Sequence, residues 1–168
     1  NDTDGDGYGD LGSPIIACTQ PSNAVADSTD CDDVVFEINP GATEVCNSID
    51  DDCDLLVDDD DNSLDASAGG VWYADSDTDG YGDAGAAVAA CSQPSGTVAD
   101  NTDCDDGVTA INPAATEVCN RVDDDCDGDI DDDDASLDTS TRTTWYADSD
   151  TDGYGDLSSP SDACAQPS

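Results

Sequence analysis

The chain has 168 residues and is extremely acidic: 43 Asp and Glu face two Arg, with no Lys or His, for a formal net charge of −41 at pH 7. A charge of this size opposes compaction and repels nucleic acid and anionic membrane surfaces. Without His there is no Ser/His or Cys/His catalytic set, and no apolar run approaches the ~20 residues of a membrane span. We therefore expect a non-enzymatic chain that external cations hold together.

A tandem repeat organises the chain. A shift of 73 residues aligns it with itself without a gap, with 46 identities between residues 1–73 and 74–146. The matching Cys, Gly, Pro and Trp positions indicate a folded unit copied in tandem, not a disordered acidic tail. We predict repeats at 1–73 and 74–146, with 147–168 as the start of a third, in a window of a longer array.

The first predicted element is an Asp-rich loop at the start of each repeat. Asp2, Asp4, Asp6 and Asp10 occupy positions 1, 3, 5 and 9 of an EF-hand-type calcium loop, and the Tyr8 carbonyl occupies position 7. Position 12 lacks an acid, so the closing ligand must come from elsewhere or be water. The equivalent candidate ligands are Asp75, Asp77, Asp79, Tyr81 and Asp83, and then Asp148, Asp150, Asp152, Tyr154 and Asp156.

An acidic D-C-D-D segment follows in each repeat, and a Glu lies 11 residues after it. These acids have two interpretations. They form a third kind of metal site, with the Glu as bidentate ligand, or they cap a short helix or close the first loop from a distance. The candidates are Asp30, Asp32, Asp33 and Glu44, and then Asp103, Asp105, Asp106 and Glu117.

A short helix is predicted next. Asn39 followed by Pro40 is typical of a helix N-cap and first position. The helix would run to about Ile49 and lead into a second type of loop.

The second loop type carries its own acid at position 12. Its candidate ligands are Asp123, Asp125, Asp127, Asp131 and Asp134 in the second repeat, and Asp50, Asp52, Asp54, Asp58 and Asp61 in the first. Leu55 stands where the second repeat has Gly at position 6, so we expect strain and a weaker site in the first repeat. Closure by Asp also reaches less far than closure by Glu.

Nine cysteines divide as four, four and one over the repeats. Without His or a C-x2-C spacing for structural zinc, they indicate disulfides and an oxidising compartment. Four Cys per repeat allow three connectivities. We favour neighbours in sequence, Cys18–Cys31, Cys46–Cys53, Cys91–Cys104 and Cys119–Cys126, with Cys164 unpaired in this window; an intermolecular disulfide of Cys164 is the alternative.

The remaining pattern predicts short strands at 72–74, 87–92 and 97–99, with a turn at 94–96. One Trp, a few Val and Ile and the disulfides make too small a core for 73 residues, so metal and disulfides must provide most of the stability. The predicted fold class is thus small disulfide- and calcium-stabilised tandem repeats. They consist mostly of loops with short β-strands and one short helix each, in an elongated array.

The loops resemble those of thrombospondin type 3 repeats and dockerin modules. Residues 72–83, 103–106, 111–119 and 123–131 more closely resemble the metal-binding motif repeat of bacterial and archaeal surface proteins. That resemblance implies secreted or surface-anchored tandem arrays. The family is named after a copper-associated protein, but this chain lacks the His and Met that copper prefers, so copper is not carried over.

Together these features predict a calcium-binding structural protein of the cell surface or extracellular space. We expect several Ca²⁺ ions per repeat, rigidification by Ca²⁺ and disulfides, and self-association into a fibre. The alternatives are the stalk of a surface adhesin and a cation-scavenging module. No nucleic-acid partner and no direct membrane insertion are expected.

Overall fold

The computed structural model describes residues 1–167, most of which lie in turns and irregular loops. Its strands are β1 Gly70–Ala74, β2 Ala87–Ala90, β3 Thr97–Val98, β4 Thr143–Tyr146 and β5 Pro160–Ala163. Within residues 1–167 the helical elements are short 3₁₀ turns at Asp58–Asp60, Ala66–Ala68, Asp131–Asp133 and Thr139–Thr141. Asp and Gly explain this scarcity of helix, because both favour turns.

The strands form two small sheets. β1 lies between β2 and β3, and β4 pairs with β5. In the antiparallel register of β1 and β3, Tyr73 lies opposite Val98, and in that of β4 and β5, Trp145 lies opposite Ser161. The three predicted strands are confirmed, although β1 begins earlier than expected and both β2 and β3 end earlier.

The predicted helix from Asn39 to about Ile49 does not form. The Asn39 side chain accepts from Gly41 N–H at 2.9 Å, which closes one turn. The Val45 N–H then donates to the Asp51 carboxylate at 3.1 Å, so it is not available for a helical i−4 carbonyl. A side-chain acceptor from another segment therefore displaces the local hydrogen bond that propensity favoured.

Buried acids outnumber buried apolar side chains. In the described chain Ile38, Ala90 and Leu137 are the buried apolar residues. The buried acids are Asp30, Glu44, Asp51, Asp61, Asp103, Glu117, Asp124 and Asp134. Buried carboxylates are costly unless hydrogen bonds or cations compensate them. The fold is thus organised around carboxylates and not around an apolar core.

Four disulfides connect the chain, and none has the predicted pairing. They are Cys31–Cys53, Cys46–Cys91, Cys104–Cys126 and Cys119–Cys164. Cys18 is the free cysteine, and Cys164 is paired. The preference for sequence neighbours in Cys18–Cys31, Cys46–Cys53, Cys91–Cys104 and Cys119–Cys126 was therefore wrong.

The loop geometry explains the correction. In the second loop type the acids at positions 1, 3 and 5 gather with Glu44 and Asp61, and Cys53 at position 4 lies between them in sequence. It meets Cys31, whose N–H lies 3.2 Å from the Cys53 sulfur. Cys46 instead meets Cys91, a residue whose N–H donates to the Asp59 carboxylate at 2.7 Å.

Two compact units result. One consists of Asn1–Val71 with Ala89–Pro94, and the other of Trp72–Val88 with the chain from Ser95 onward. The boundary between Val71 and Trp72 lies close to the predicted repeat boundary after residue 73, and residues 89–94 belong with the first unit. The division into repeats at 1–73, 74–146 and 147–168 stays a prediction. Within residues 1–167 no helix has the length and apolar character needed to cross a membrane.

Candidate metal centres

Alternating carboxylates in the first loop type hold the backbone with one oxygen each. Asp2 accepts from Gly5 N–H at 2.8 Å, and Asp6 accepts from Tyr8 N–H at 2.8 Å. The carboxylates of Asp2, Asp4 and Asp6 each place an oxygen within 4.8 Å of the others. The second repeat brings Asp75, Asp77 and Asp79 together in the same way. Backbone turns thus aim one row of side chains at one point.

The D-C-D-D segment closes this loop. Asp30 N–H donates to the Gly9 carbonyl at 3.2 Å, within a parallel bridge between Asp10 and Asp30. Asp4, Asp6 and Asp30 each carry a buried carboxylate oxygen without a hydrogen-bond partner. Burial raises the pKa of Asp30, and the negative charges of Asp6 and Asp4 raise it further. Of the alternatives left open by the sequence, closure of the first loop from a distance is the one the structure favours. We call Asp2, Asp4, Asp6 and Asp30 cluster A1.

The second repeat contains the same arrangement. Burial raises the pKa of the Asp103 carboxyl, and the charges of Asp79 and Asp106 add to the effect. We call Asp75, Asp77, Asp79 and Asp103 cluster A2. Gly82 is required at its base, since a Cβ there would lie 2.8 Å from the Asp100 carbonyl. The close approach of loop and D-C-D-D segment therefore depends on glycine.

The other acids of the D-C-D-D segments have different positions. Asp33 accepts from Thr3 N–H at 2.9 Å and from its hydroxyl at 2.6 Å, so it ties the segment to the loop. Asp106 does the same with Ser76. Asp32 and Asp105 are exposed. Asp33 and Asp106 therefore support the clusters by joining the D-C-D-D segments to the loops.

The second loop type forms its own cluster. Asp52, Asp54 and Asp61 each place an oxygen within 4.8 Å of the others, and Asp50 lies as close to Asp52 and Glu44. The predicted closing residue at position 12, Asp61, is thus brought to the loop. We call Asp50, Asp52, Asp54 and Asp61 cluster B1, and Asp123, Asp125, Asp127 and Asp134, whose loop has matching hydrogen bonds, cluster B2.

Position 9 of each loop type has another use. Asp58 accepts from Asn47 N–H at 2.9 Å and Ser48 N–H at 3.0 Å. In the second repeat, Asp131 accepts in the same way from Asn120 N–H and Arg121 N–H. Asp10 and Asp83 accept from Gly12 and Gly85 in the turns that follow them, and Asp156 accepts from Ser158. These carboxylates stabilise turns beside the clusters.

The third copy of the first loop has only part of this arrangement. Asp148 accepts from Gly153 N–H and Asp152 from Tyr154 N–H, as in the other copies. Asp148, Asp150, Asp152, Tyr154 and Asp156 are all exposed, whereas Tyr8 and Tyr81 are half-buried. The two D-C-D-D segments of the chain already close the first two loops, so this copy shows the local turn chemistry alone.

Glu44 and Glu117 are fully buried, at 0% exposure. The two oxygens of Glu44 accept from Asp51 N–H and Asp58 N–H, each at 2.8 Å, and Glu117 bonds its repeat equivalents in the same way. Each Glu thus braces both ends of the second loop. Glu44 also lies beside Asp50 and Asp52, so its role combines loop support with cluster charge.

Sequence reasoning missed Asp51 and Asp124. Asp51 is buried. Its carboxylate accepts from Val45 N–H at 3.1 Å, and both of its oxygens accept from the Asn47 side-chain amide at 3.0 Å. Asp124 has the same partners in the second repeat. The usable signal was the Asn that precedes each of them by four residues, since an amide there offers N–H groups to a carboxylate.

Leu55 adopts a left-handed backbone with φ of 77°, where the second repeat has Gly128 at 95°. This confirms the expected strain, because a side chain in that region costs about 1–2 kcal/mol.

We expect Leu55→Gly to raise the free energy of unfolding by about 1 kcal/mol in urea titrations with calcium present. Gly128→Leu is the reciprocal control and should lower the free energy of unfolding by a similar amount. A lower free energy in Leu55→Gly, or a higher one in Gly128→Leu, would contradict the strain argument.

Buried oxygens without partners mark all four clusters. The carboxylate oxygens with neither hydrogen-bond partner nor solvent contact are on Asp4, Asp6 and Asp30, on Asp77, Asp79 and Asp103, on Asp52 and Asp61, and on Asp125 and Asp134. A buried anionic oxygen without a partner is strongly unfavourable. Converging carboxylates of this kind fit a metal ion, which would supply the missing positive charge.

The donor set contains oxygen only. Cys104 and Cys126 lie near Asp103, but they form a disulfide and offer no thiolate. The chain has no His and no Met. Carboxylate and carbonyl oxygens suit hard cations, while soft or imidazole ligands suit copper.

Comparison with known protein families gives one match. A family model whose name refers to copper binding, described as "Putative metal-binding motif", matches residues 30–59 and 103–132. Both segments carry this metal-binding motif. Each match runs from the closing Asp of an A cluster through the loop of the following B cluster, so the motif spans parts of two clusters. No curated protein and no solved structure matches the chain.

Proposed function

We propose that the chain is an extracellular calcium-binding structural repeat protein whose fold depends on Ca²⁺ and disulfides. The observation that carries the proposal is the set of buried, unpartnered carboxylate oxygens in clusters A1, A2, B1 and B2. Three carboxylates converge in each of A1, A2 and B1, and Ca²⁺ takes six to eight oxygen ligands, including carbonyls and water. Mg²⁺ demands a smaller, near-ideal octahedron and usually keeps several waters, so loops rich in carboxylates suit it less well.

The donor chemistry favours calcium over the copper in the family name. The motif segments of this chain contribute carboxylates, and their cysteines are consumed in disulfides. The residues that would hold the ions are those of the four clusters, with Glu44 and Glu117 beside the B loops. A bound Ca²⁺ would neutralise the repulsion among them, and that is a stabilising role and not a catalytic one.

Conditions outside the cell favour both the disulfides and the proposed calcium sites, because the medium is oxidising and contains calcium. Four disulfides are typical of secreted proteins, and extracellular modules bind calcium with Kd values of about 10⁻⁴–10⁻³ M. Such weak sites are filled outside the cell and vacant in a cytosol. We infer that the chain is exported in an expanded state and folds after export.

Asp30→Asn tests the calcium assignment. We expect it to weaken calcium binding at cluster A1 by about tenfold or more, because the site loses a charged ligand, as measured by isothermal titration calorimetry. In chelator, circular dichroism should show that the variant keeps as much structure as the parent or more, since the substitution relieves like-charge repulsion.

Asp65→Asn is the matched control. Asp65 is exposed and accepts from Ser67 N–H, a cap that Asn also makes. This variant should bind calcium as the parent does. Unchanged calcium binding in Asp30→Asn, together with a greater loss of structure in chelator than the parent shows, would mean that Asp30 is only a structural residue.

The assembled form is the second part of the proposal. Tandem copies of a rigid unit stack into a rod, and we propose self-association of such rods into a fibre. An adhesin stalk is the alternative, and it shares the same calcium chemistry. Electron microscopy of the calcium-saturated chain separates the two: filaments support the fibre, and dispersed rods support the stalk.

A further inference from the structure

Each second loop holds a segment of the next repeat by the same contacts. In the first compact unit Cys46 is bonded to Cys91, and Asp59 accepts from Cys91 N–H at 2.7 Å and from Ser92 N–H at 2.9 Å. The Ser92 hydroxyl adds a third bond to Asp59 at 2.7 Å. One disulfide and one carboxylate thus fix residues 89–94 against residues 46–59.

The second unit repeats the arrangement. Cys119 is bonded to Cys164, and Asp132 accepts from Cys164 N–H at 2.7 Å. In both cases the carboxylate lies 13 residues after the loop cysteine, at Asp59 after Cys46 and at Asp132 after Cys119. The geometry is therefore a property of the repeat and not of one location.

The first copy of the held segment is uncovered. Cys18 aligns with Cys91 and Cys164, yet it is the free cysteine and is exposed. Ala17 is exposed, whereas its equivalent Ala90 is buried. Cys91, Ala163 and Cys164 are half-buried, whereas Cys18 is exposed. The alanine and cysteine that the equivalent segments cover are thus open here.

We propose that residues 14–21 are a docking segment for another polypeptide segment of the Cys46–Asp59 type, joined to it by a disulfide at Cys18. Cys46 and Cys119 already have partners, so the occupant is a further segment of this chemistry. It presents a free cysteine, and 13 residues later an Asp that accepts from the backbone N–H groups of Cys18 and Thr19. This goes beyond metal binding: it makes the repeat a covalently linked, directional module.

The chemistry balances with a disulfide oxidant such as oxidised glutathione. The Cys18 thiol and the incoming thiol lose two protons and two electrons as the S–S bond forms, and one glutathione disulfide becomes two glutathione thiols. Asp-directed docking precedes the exchange and sets which thiols meet.

Mixed-dimer formation tests the proposal. The parent chain, whose free thiol is Cys18, is mixed in calcium and glutathione redox buffer with an equal amount of isotope-labelled Cys18→Ser/Cys91→Ser, whose free thiol is Cys46. A second donor, Cys18→Ser ending at Asp156, frees Cys119 and leaves residues 119–132 without a seated segment. Mass spectrometry then counts parent–donor dimers against both kinds of like dimer.

Random pairing of equal amounts of parent and donor would make half of all dimers mixed. We expect mixed Cys18–Cys46 or Cys18–Cys119 dimers to outnumber like dimers about tenfold, since charge-assisted hydrogen bonds direct the pairing. Adding Asp59→Asn to the first donor, or Asp132→Asn to the second, should return the mixed dimers to half of the total. Statistical mixtures or glutathione adducts alone from both donors would overturn the proposal, because nothing would then distinguish Cys18 from any exposed thiol.

Discussion

Chelation of calcium with EGTA should unfold or greatly expand this protein while its disulfides stay intact. Each cluster contains buried carboxylate oxygens with no partner in the protein, so the metal-free state keeps their mutual repulsion. A ligand at about ten times its Kd stabilises the folded state by about 1.4 kcal/mol per site. Four such sites together reach about 6 kcal/mol, within the roughly 5–15 kcal/mol that holds an ordinary domain folded.

Circular dichroism and Trp fluorescence measure this effect. The residues Trp72 and Trp145 are half-buried, and Trp145 Nε1 donates to the Ala163 carbonyl at 3.0 Å, so indole emission reports loss of the second sheet. Re-addition of Ca²⁺ should restore both signals, and EGTA presaturated with Ca²⁺ is the control for the chelator itself. An unchanged spectrum and melting temperature in EGTA would refute calcium as the stabilising ion.

Removal of the Cys46–Cys91 disulfide by paired Ala substitution should lower the free energy of unfolding by about 4 kcal/mol, from the chain entropy of the loop that it closes. Its sequence separation is 45 residues, against 22 for Cys31–Cys53. The shorter loop should therefore contribute about 0.6 kcal/mol less. Urea titration at saturating calcium measures both differences.

Peptide mapping of the unreduced parent provides the direct check on connectivity. The structure requires fragments that join Cys46 to Cys91 and Cys119 to Cys164. Cys18→Ala is the control for loss of a thiol, and it should leave the urea transition of the isolated chain unchanged because Cys18 has no partner. Recovery of a Cys46–Cys53 fragment would contradict the structure and restore the pairing of sequence neighbours.

Local chemistry was predictable wherever a few neighbouring residues decide it. The turns of the first loop need only alternate Asp side chains that accept from N–H groups two or three residues on, and Asp2, Asp4 and Asp6 do this. The strand around Trp72 needs only a short run of aromatic and small residues. Both are short-range patterns, and both appear where the sequence places them.

The helix was not predictable in the same way. Asn39 and Pro40 do start a turn, but the backbone N–H groups that would continue it donate to distant carboxylates, Val45 N–H to Asp51 and Asn47 N–H to Asp58. The same limit applies to Glu44, whose two oxygens join backbone groups seven and 14 residues away. Propensity describes one segment at a time, and it cannot weigh acceptors that arrive from another.

The sequence by itself determined the repeat, the loop positions and the oxygen-only donor set, from which the need for external cations was predicted. These follow from composition and spacing, which are local properties of the chain. Only the tertiary structure decided that Asp30 closes the first loop and that Cys46 meets Cys91. Those outcomes depend on long-range contacts, such as Asp30 N–H to the Gly9 carbonyl and Cys91 N–H to Asp59, which bring distant segments together. Spacing along the chain does not encode which of many similar carboxylates and cysteines become neighbours in space.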